Sequence, residues 1–181
     1  MQLVFVYGSL QTGLHNHHLL RSARLIANKI YTVERFALIG TPDGYPYALD
    51  KENARPIDTL SNLIGELYDV DANTLDKLDE LEEHPVWYRR REIAVTLNCQ
   101  ISHVRVCSKF ASAATGSVER HSELAWMYIL NEPDELSHVA ADGAGEVYKP
   151  VADGDWRGFF FSDKNGRVEV ATSGRGVAAR E

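Results

Sequence analysis

The chain has 181 residues, 44% of them apolar and 25% charged, with a formal charge of −7. That length suits one domain with a core of its own, and the composition is that of an ordinary globular protein. The acidic balance argues against nucleic acid or an anionic membrane surface as a partner, since both reward basic surfaces, and the local run Arg89-Arg90-Arg91 does not reverse it.

The first element is an apolar run, Leu3-Val4-Phe5-Val6, that breaks at Tyr7-Gly8-Ser9-Leu10. A run without alternation reads as a strand buried on both faces. A glycine and a hydroxyl residue directly after it leave backbone N–H groups free in a curved segment, which is a seat for an anion. Leu14 to Arg24 has helical character. Lys29 to Ile39 alternates loosely as a strand and is closed by the turn Gly40-Thr41-Pro42-Asp43-Gly44. Tyr45 to Leu49 suits a short strand, Lys51 to Pro56 a polar loop, and Ser61 to Val70 a further strand. Asp71 to Glu83 is the clearest helix, with Asp71 or Asn73 as its cap and Pro85 just past its end.

Arg91 to Leu97 and His103 to Lys109 alternate as strands. An Ala/Ser-rich insertion is expected near 110–124, then a strand over Ala125 to Leu130 and an acidic stretch from Glu132 to Val147. One hairpin is possible around Asp163-Lys164-Asn165-Gly166, before a small-residue tail. Cys99 and Cys107 form no disulfide framework. The apolar start lacks a basic leader, and nothing approaches the roughly 18 apolar residues of a membrane helix, so a cytoplasmic protein is expected.

Six acids crowd the helix at 71–83, and helical phase separates them. At about 100° per residue, Leu75, Leu78 and Leu81 define the buried stripe, and Glu82 falls on its flank. Asp76, Glu80 and Glu83 project away. An inward carboxylate has either of two uses: a structural ion pair with Arg89, Arg90 or Arg91, or a general base whose pKa burial has raised. Tyr88, Arg90 and Tyr128 are candidates to line the same site. His15, His17 and His18 invite a metal reading, but they lack partner motifs and point in different directions on a helix. No phosphate-binding G-x-x-x-x-G-K motif and no G-x-S-x-G elbow occurs.

In order along the chain, Val4 to Leu10 resembles the opening strand and Y-G-S/T-L loop of the γ-glutamylcyclotransferase-like family. Asn16-His17 with Leu20 is similar to its N-H-x-x-L, and Tyr45-Pro46 and Gly65-Glu66-Leu67-Tyr68 to the pair and G-E-V/L-Y strand that follow. Leu78-Asp79-Glu80-Leu81-Glu82, Pro85, Tyr88 and Arg90 fit L-D-x-F/L-E-x-x-P-x-x-Y-x-R. Ala125-Trp126-Met127-Tyr128 and Gly154-Asp155-Trp156 resemble the late strand and closing motif. The likeness is closest to the γ-glutamylamine cyclotransferase branch and spans residues 1–156, which are expected to be the domain. Residues 157–181 would then be a partly disordered extension.

The resemblance implies an α+β fold, a strongly curved mixed sheet closing toward a small barrel with flanking helices. It implies Glu82 as the catalytic acid/base. The backbone of Tyr7, Gly8, Ser9 and Leu10 would bind the substrate, with Tyr88 and Tyr128 as pocket walls. The reaction implied is attack of a γ-glutamyl substrate's own α-amine on its γ-carbonyl, releasing 5-oxoproline and an amine. The nucleophile then belongs to the substrate, so no cofactor or metal is called for. Two rivals are a silent ligand-binding member of the same fold and a metal-dependent hydrolase built on His15–His18. The oligomeric state and the group beyond the scissile bond are left open.

Overall fold

The computed structural model describes residues 2–41, 43–56, 58–98, 120–131 and 148–162. The expected strand at 103–109, most of the insertion, the acidic stretch, both cysteines and the 163–166 hairpin lie outside these residues.

The strands are β1 (Gln2–Val6), β2 (Arg24–Gly40), β3 (Pro46–Leu49), β4 (Leu60–Val70), β5 (Tyr88–Asn98), β6 (Arg120–Leu130) and β7 (Lys149–Pro150). β2 pairs with β4, β4 with β1, β1 with β6, β6 with β5, and β5 back with β2, so five strands close a ring. Among the described residues only the β1–β6 contact is parallel. β3 and β7 flank the far half of β2. This is the mixed, strongly curved sheet closing into a small barrel that the resemblance implies. Helices are few: a 3-10 helix at His15–Leu20, α1 (Ala72–Leu81), and α2 over 156–162. Among the described residues no helix is long and apolar enough to cross a membrane.

β1 shows why its sequence does not alternate. Val4, Phe5 and Val6 are all buried, Phe5 in one apolar cluster and Val4 and Val6 in the other. The first cluster also takes Leu63, Leu67, Ile93, Val95, Ala125, Met127 and Ile129. The second takes the opposite parity, Tyr68, Val70, Tyr88, Tyr128 and Leu130, and receives Leu75 and Leu78 of α1. A strand packed on both faces has no room for polar residues.

Several boundaries differ from expectation. The helical character of Leu14 to Arg24 shrinks to one 3-10 helix, and Arg24 already begins β2. β2 is 17 residues long and breaks register between Leu25 and Ala27, Ala27 and Ile30, and Tyr31 and Arg35, with Lys29 at φ 51°. Bulges bend a strand and reset its alternation, which hides its first turn from a period-2 reading. β5 starts at Tyr88, three residues before the expected Arg91. β6 starts at Arg120, so the end of the expected insertion is strand, paired residue for residue with β5 from Tyr88↔Leu130 to Asn98↔Arg120.

Barrel closure beside the Tyr7 loop needs one very close approach. A Cβ on Gly65 would sit 2.3 Å from the Val6 carbonyl oxygen and 2.6 Å from the Phe5 ring. Neither the strand backbone nor a fully buried ring can yield cheaply. Gly65→Ala is therefore expected to lose about 3 kcal/mol of unfolding free energy, read as a lowered urea midpoint at unchanged m-value.

Candidate active site

A cavity of about 400 Å³ opens between the loop after β1, the start of β3 and the end of α1. Tyr7, Gly8, Ser9, Leu10, Glu82, Tyr88 and Tyr128 all line it. Arg90 does not. Asn16, Tyr45, Pro46 and Trp87 line it too. Asn16, Tyr45 and Pro46 hold motif positions visible in the sequence, but nothing in composition or periodicity marks any of the four as a cavity residue.

The loop is held on both sides and leaves its donors free. The Gly8 carbonyl accepts from Gln11 N–H at 3.1 Å, the Ser9 carbonyl from Asn16 N–H at 3.1 Å, and the Tyr7 carbonyl from Gln11 Nε2 at 2.6 Å. A Cβ on Gly8 would meet Pro46 Cγ at 3.0 Å, so the absence of a side chain lets the loop lie against β3. Among the described residues, the N–H groups of Gly8, Ser9 and Leu10 donate to no protein acceptor. Behind the loop, the carboxylate of Glu66, only 4% exposed, accepts from Thr12 N–H at 2.8 Å, Thr12 Oγ1 at 3.0 Å and the Tyr68 hydroxyl at 2.9 Å. Burial, helped by that bond and charge, pushes the Tyr68 hydroxyl up to about 12.

Glu82 is presented by the end of α1. Asp71 caps the helix start, accepting from Thr74 N–H at 2.7 Å. The other end closes as a Schellman turn: His84 N–H donates to the Asp79 carbonyl at 2.9 Å and Glu83 N–H to the Glu80 carbonyl at 3.3 Å. That turn places Glu83 in the left-handed region at φ 49°, a position glycine would usually hold. Glu82 is thus the C-cap residue, past the last helical turn, with its N–H bound to the Leu78 carbonyl at 3.0 Å and its carbonyl bound by Tyr88 N–H at 3.2 Å. Leu75 and Leu78 are buried as phase predicts, whereas Leu81 is 37% exposed and leaves the stripe.

The sequence left the Glu82 carboxylate two uses, and the ion pair with an arginine is not the one observed. Arg89 pairs with Asp50, Arg91 with Glu34 at 2.6 Å, and Arg90 with Asp79 at 2.9 Å while its guanidinium lies 5.1 Å from the Trp126 ring centroid. Each candidate cation is held by another acid. Among the described residues the half-buried Glu82 has no ion pair, and desolvation raises its pKa from the ordinary 4.5 to about 7. Asp79 is a second half-buried acid of this helix, which helical phase did not single out. It takes Arg90 and the Tyr128 hydroxyl together.

The tyrosines around Glu82 are neutral walls. The Tyr7 hydroxyl donates to the Tyr128 carbonyl at 2.9 Å, Tyr88 to the Pro46 carbonyl at 3.2 Å, and Tyr128 to Asp79 Oδ1 at 2.6 Å. Burial pushes Tyr7 and Tyr88 well above the ordinary tyrosine value, and the Glu82 charge adds to it. Burial and the Asp79 bond do the same for Tyr128. Of the three histidines, His17 Nε2 lies 3.2 Å from the Tyr68 hydroxyl and His18 Nδ1 3.0 Å from the His15 carbonyl oxygen, so the two serve separate contacts.

Burying Glu82 has a cost that pH reveals. Its folded pKa lies above the unfolded one, so the penalty is absent below about 4.5 and grows as pH rises through about 7. Glu82→Gln is expected to be more stable than the parent by about 2–3 kcal/mol at pH 8, with the gap falling below about 1 kcal/mol near pH 5, in urea melts at both pH values.

The AIG2-like gamma-glutamyl cyclotransferase family model matches residues 4–158. A putative gamma-glutamylcyclotransferase of Methanocaldococcus jannaschii is 37% identical over 99 residues, 54% of this chain and 75% of that protein. The gamma-L-glutamyl-butirosin B gamma-glutamyl cyclotransferase of Niallia circulans is 30% identical over 144 residues, 78% of this chain and 75% of that protein. In fold, an AIG2-like protein from mouse superposes with TM-score 0.52 at 24% identity, covering 75% of this chain and 82% of the mouse chain. The chain belongs to the AIG2-like gamma-glutamyl cyclotransferase family.

Proposed function

We propose that this protein is a cytoplasmic enzyme that cyclises the glutamyl head of a small γ-glutamyl amine, releasing 5-oxoproline and the amine. The observation that carries this reading is an unpaired carboxylate, Glu82, sharing one cavity with the free N–H groups of Gly8, Ser9 and Leu10. The loop binds the α-carboxylate, which folds the glutamyl chain so that its α-nitrogen meets its γ-carbonyl beside Glu82. Positioning of this kind supplies several kcal/mol of a barrier.

Glu82 takes a proton from the α-ammonium. The freed amine attacks the γ-carbonyl carbon, and the carbon–nitrogen bond to the leaving group breaks as that nitrogen is protonated. Across the cycle the α-nitrogen gives up two protons and the leaving nitrogen gains two, so Glu82 ends as it began. A pKa of about 7 keeps both its forms populated near neutral pH, as such a shuttle requires. Ser9 is not an attractive nucleophile, because its side-chain partner is the Asn16 amide, which is no base.

The rim supports an amine as leaving group. The charged side chains of the cavity are Glu82 and Glu83, both acidic, beside the aromatic Trp87 and Tyr45. Such a lining repels a second carboxylate on the departing group and accommodates a cation. The Niallia circulans relative is likewise named for a γ-glutamyl derivative of another molecule.

Released 5-oxoproline, measured over a panel of γ-glutamyl amines and γ-glutamyl-amino acids, is expected to be greatest for the amines. Glu82→Gln should lower the rate by about 10²–10⁴-fold, and kcat/KM of the parent should rise with pH through about 7. Acetylating the substrate's α-amine should abolish release. Cleavage of the acetylated compound would rule out self-cyclisation, and binding without turnover would mark a silent member of the fold.

A further inference from the structure

Ser9 is buried and lines the cavity, and the partner of its hydroxyl inside the protein is Asn16 Nδ2 at 2.9 Å. An amide nitrogen can only donate, so it occupies a lone pair of the Ser9 oxygen. Among the described residues the Ser9 hydrogen then has no acceptor, and it is free to point into the cavity. Asn16 is fixed in turn, since its own N–H donates to the Ser9 carbonyl at 3.1 Å and it is the second residue of the 3-10 helix.

Three of the four cavity phenols do not offer the same service. Tyr7, Tyr88 and Tyr128 each spend their hydroxyl hydrogen on a protein acceptor. A ligand taking a hydrogen bond from any of them would have to break an existing one. The Ser9 hydroxyl carries no such commitment, and it stands in the same turn as the free N–H groups of Gly8, Ser9 and Leu10.

We infer that Asn16 is a positioning residue whose amide locks the Ser9 hydroxyl as a donor to the carboxylate seated on the Gly8–Leu10 backbone. This rests on the proposed reading of the cavity as a glutamyl site. Asn16 acts on the ligand through Ser9, so its effect must vanish when the Ser9 hydroxyl is gone. The polarity of the pair matters as well: an acceptor at position 16 would capture the Ser9 hydrogen and turn it from the ligand. It would also set a negative charge beside an anion seat.

A double-mutant cycle tests this on the full chain. Binding of 5-oxoproline is measured by calorimetry, and kcat and KM with a γ-glutamyl amine, for the parent, Ser9→Ala, Asn16→Ala and the pair, with thermal melts as a control for folding. Ser9→Ala is expected to weaken binding and raise KM by about 10-fold, with kcat within about threefold. Asn16→Ala should lose somewhat less, and the double variant no more than Ser9→Ala alone. Asn16→Asp should be worse than Asn16→Ala, and Ser9→Thr should retain the parent's affinity.

Additive losses in the cycle, or an Asn16→Asp variant that binds as the parent does, would overturn the assignment. So would a parent that binds no 5-oxoproline. A parent that binds but does not turn over contradicts the proposed reaction alone, and the cycle read by calorimetry still decides the role of Asn16.

Discussion

The arrangement depends on keeping one carboxylate without a partner. Three arginines follow Glu82 within nine residues, and any of them could neutralise it. Asp50, Asp79 and Glu34 take all three. What surrounds Glu82 instead is a wall of phenols whose hydroxyl hydrogens are already given to carbonyls and to Asp79. A carboxylate in such a place is poorly solvated, and desolvation lifts its pKa toward neutrality. The fold accepts a standing instability there, and the proposed reaction would use the group to take and return a proton.

The rest of the molecule supplies rigidity around that group. Ring closure through β2 and β5 fixes β1 between β4 and β6, which sets where the Tyr7–Leu10 loop begins. The Schellman turn after α1 fixes where Glu82 sits, even at the cost of a left-handed glutamate behind it. The buried Glu66, gripping Thr12 from the far side, ties the loop to β4. Loop and helix end therefore face each other across the cavity from two rigid supports. The proposed self-cyclisation asks chiefly for such placement, because in it the nucleophile belongs to the substrate.

Much of this was legible in the sequence, for identifiable reasons. The unbroken apolar run of β1 marked a strand buried on both faces, and Gly8-Ser9 marked its turn. The spacing of Glu82 from Leu75 and Leu78 turns it inward although α1 ends at Leu81 and Leu81 itself is exposed, because a C-cap continues the helical phase for one residue. The motif order brought Tyr7, Glu82, Tyr88 and Tyr128 together in advance of any coordinates.

Other features had no local signal. Asp79 looks like its acidic neighbours until β5 and β6 bring Arg90 and Tyr128 to it, and the Tyr7–Tyr128 bond spans 121 residues. The bulges of β2 erased the alternation that would have shown its true start. Asn16 read as one member of a motif, and its meaning lies in a side-chain bond that spacing alone does not specify.

The central claim concerns the charge state of one group, and a direct titration tests it. Following the Glu82 carboxyl carbon by carbon-13 NMR across pH 3 to 10, with Glu82→Gln to identify its signal, measures the pKa without any substrate. A midpoint near 7 is what an unpaired, desolvated carboxylate must give. A midpoint near the ordinary 4.5 would mean that water or a cation reaches the group, and the account of Glu82 as a neutral-pH proton shuttle would be wrong.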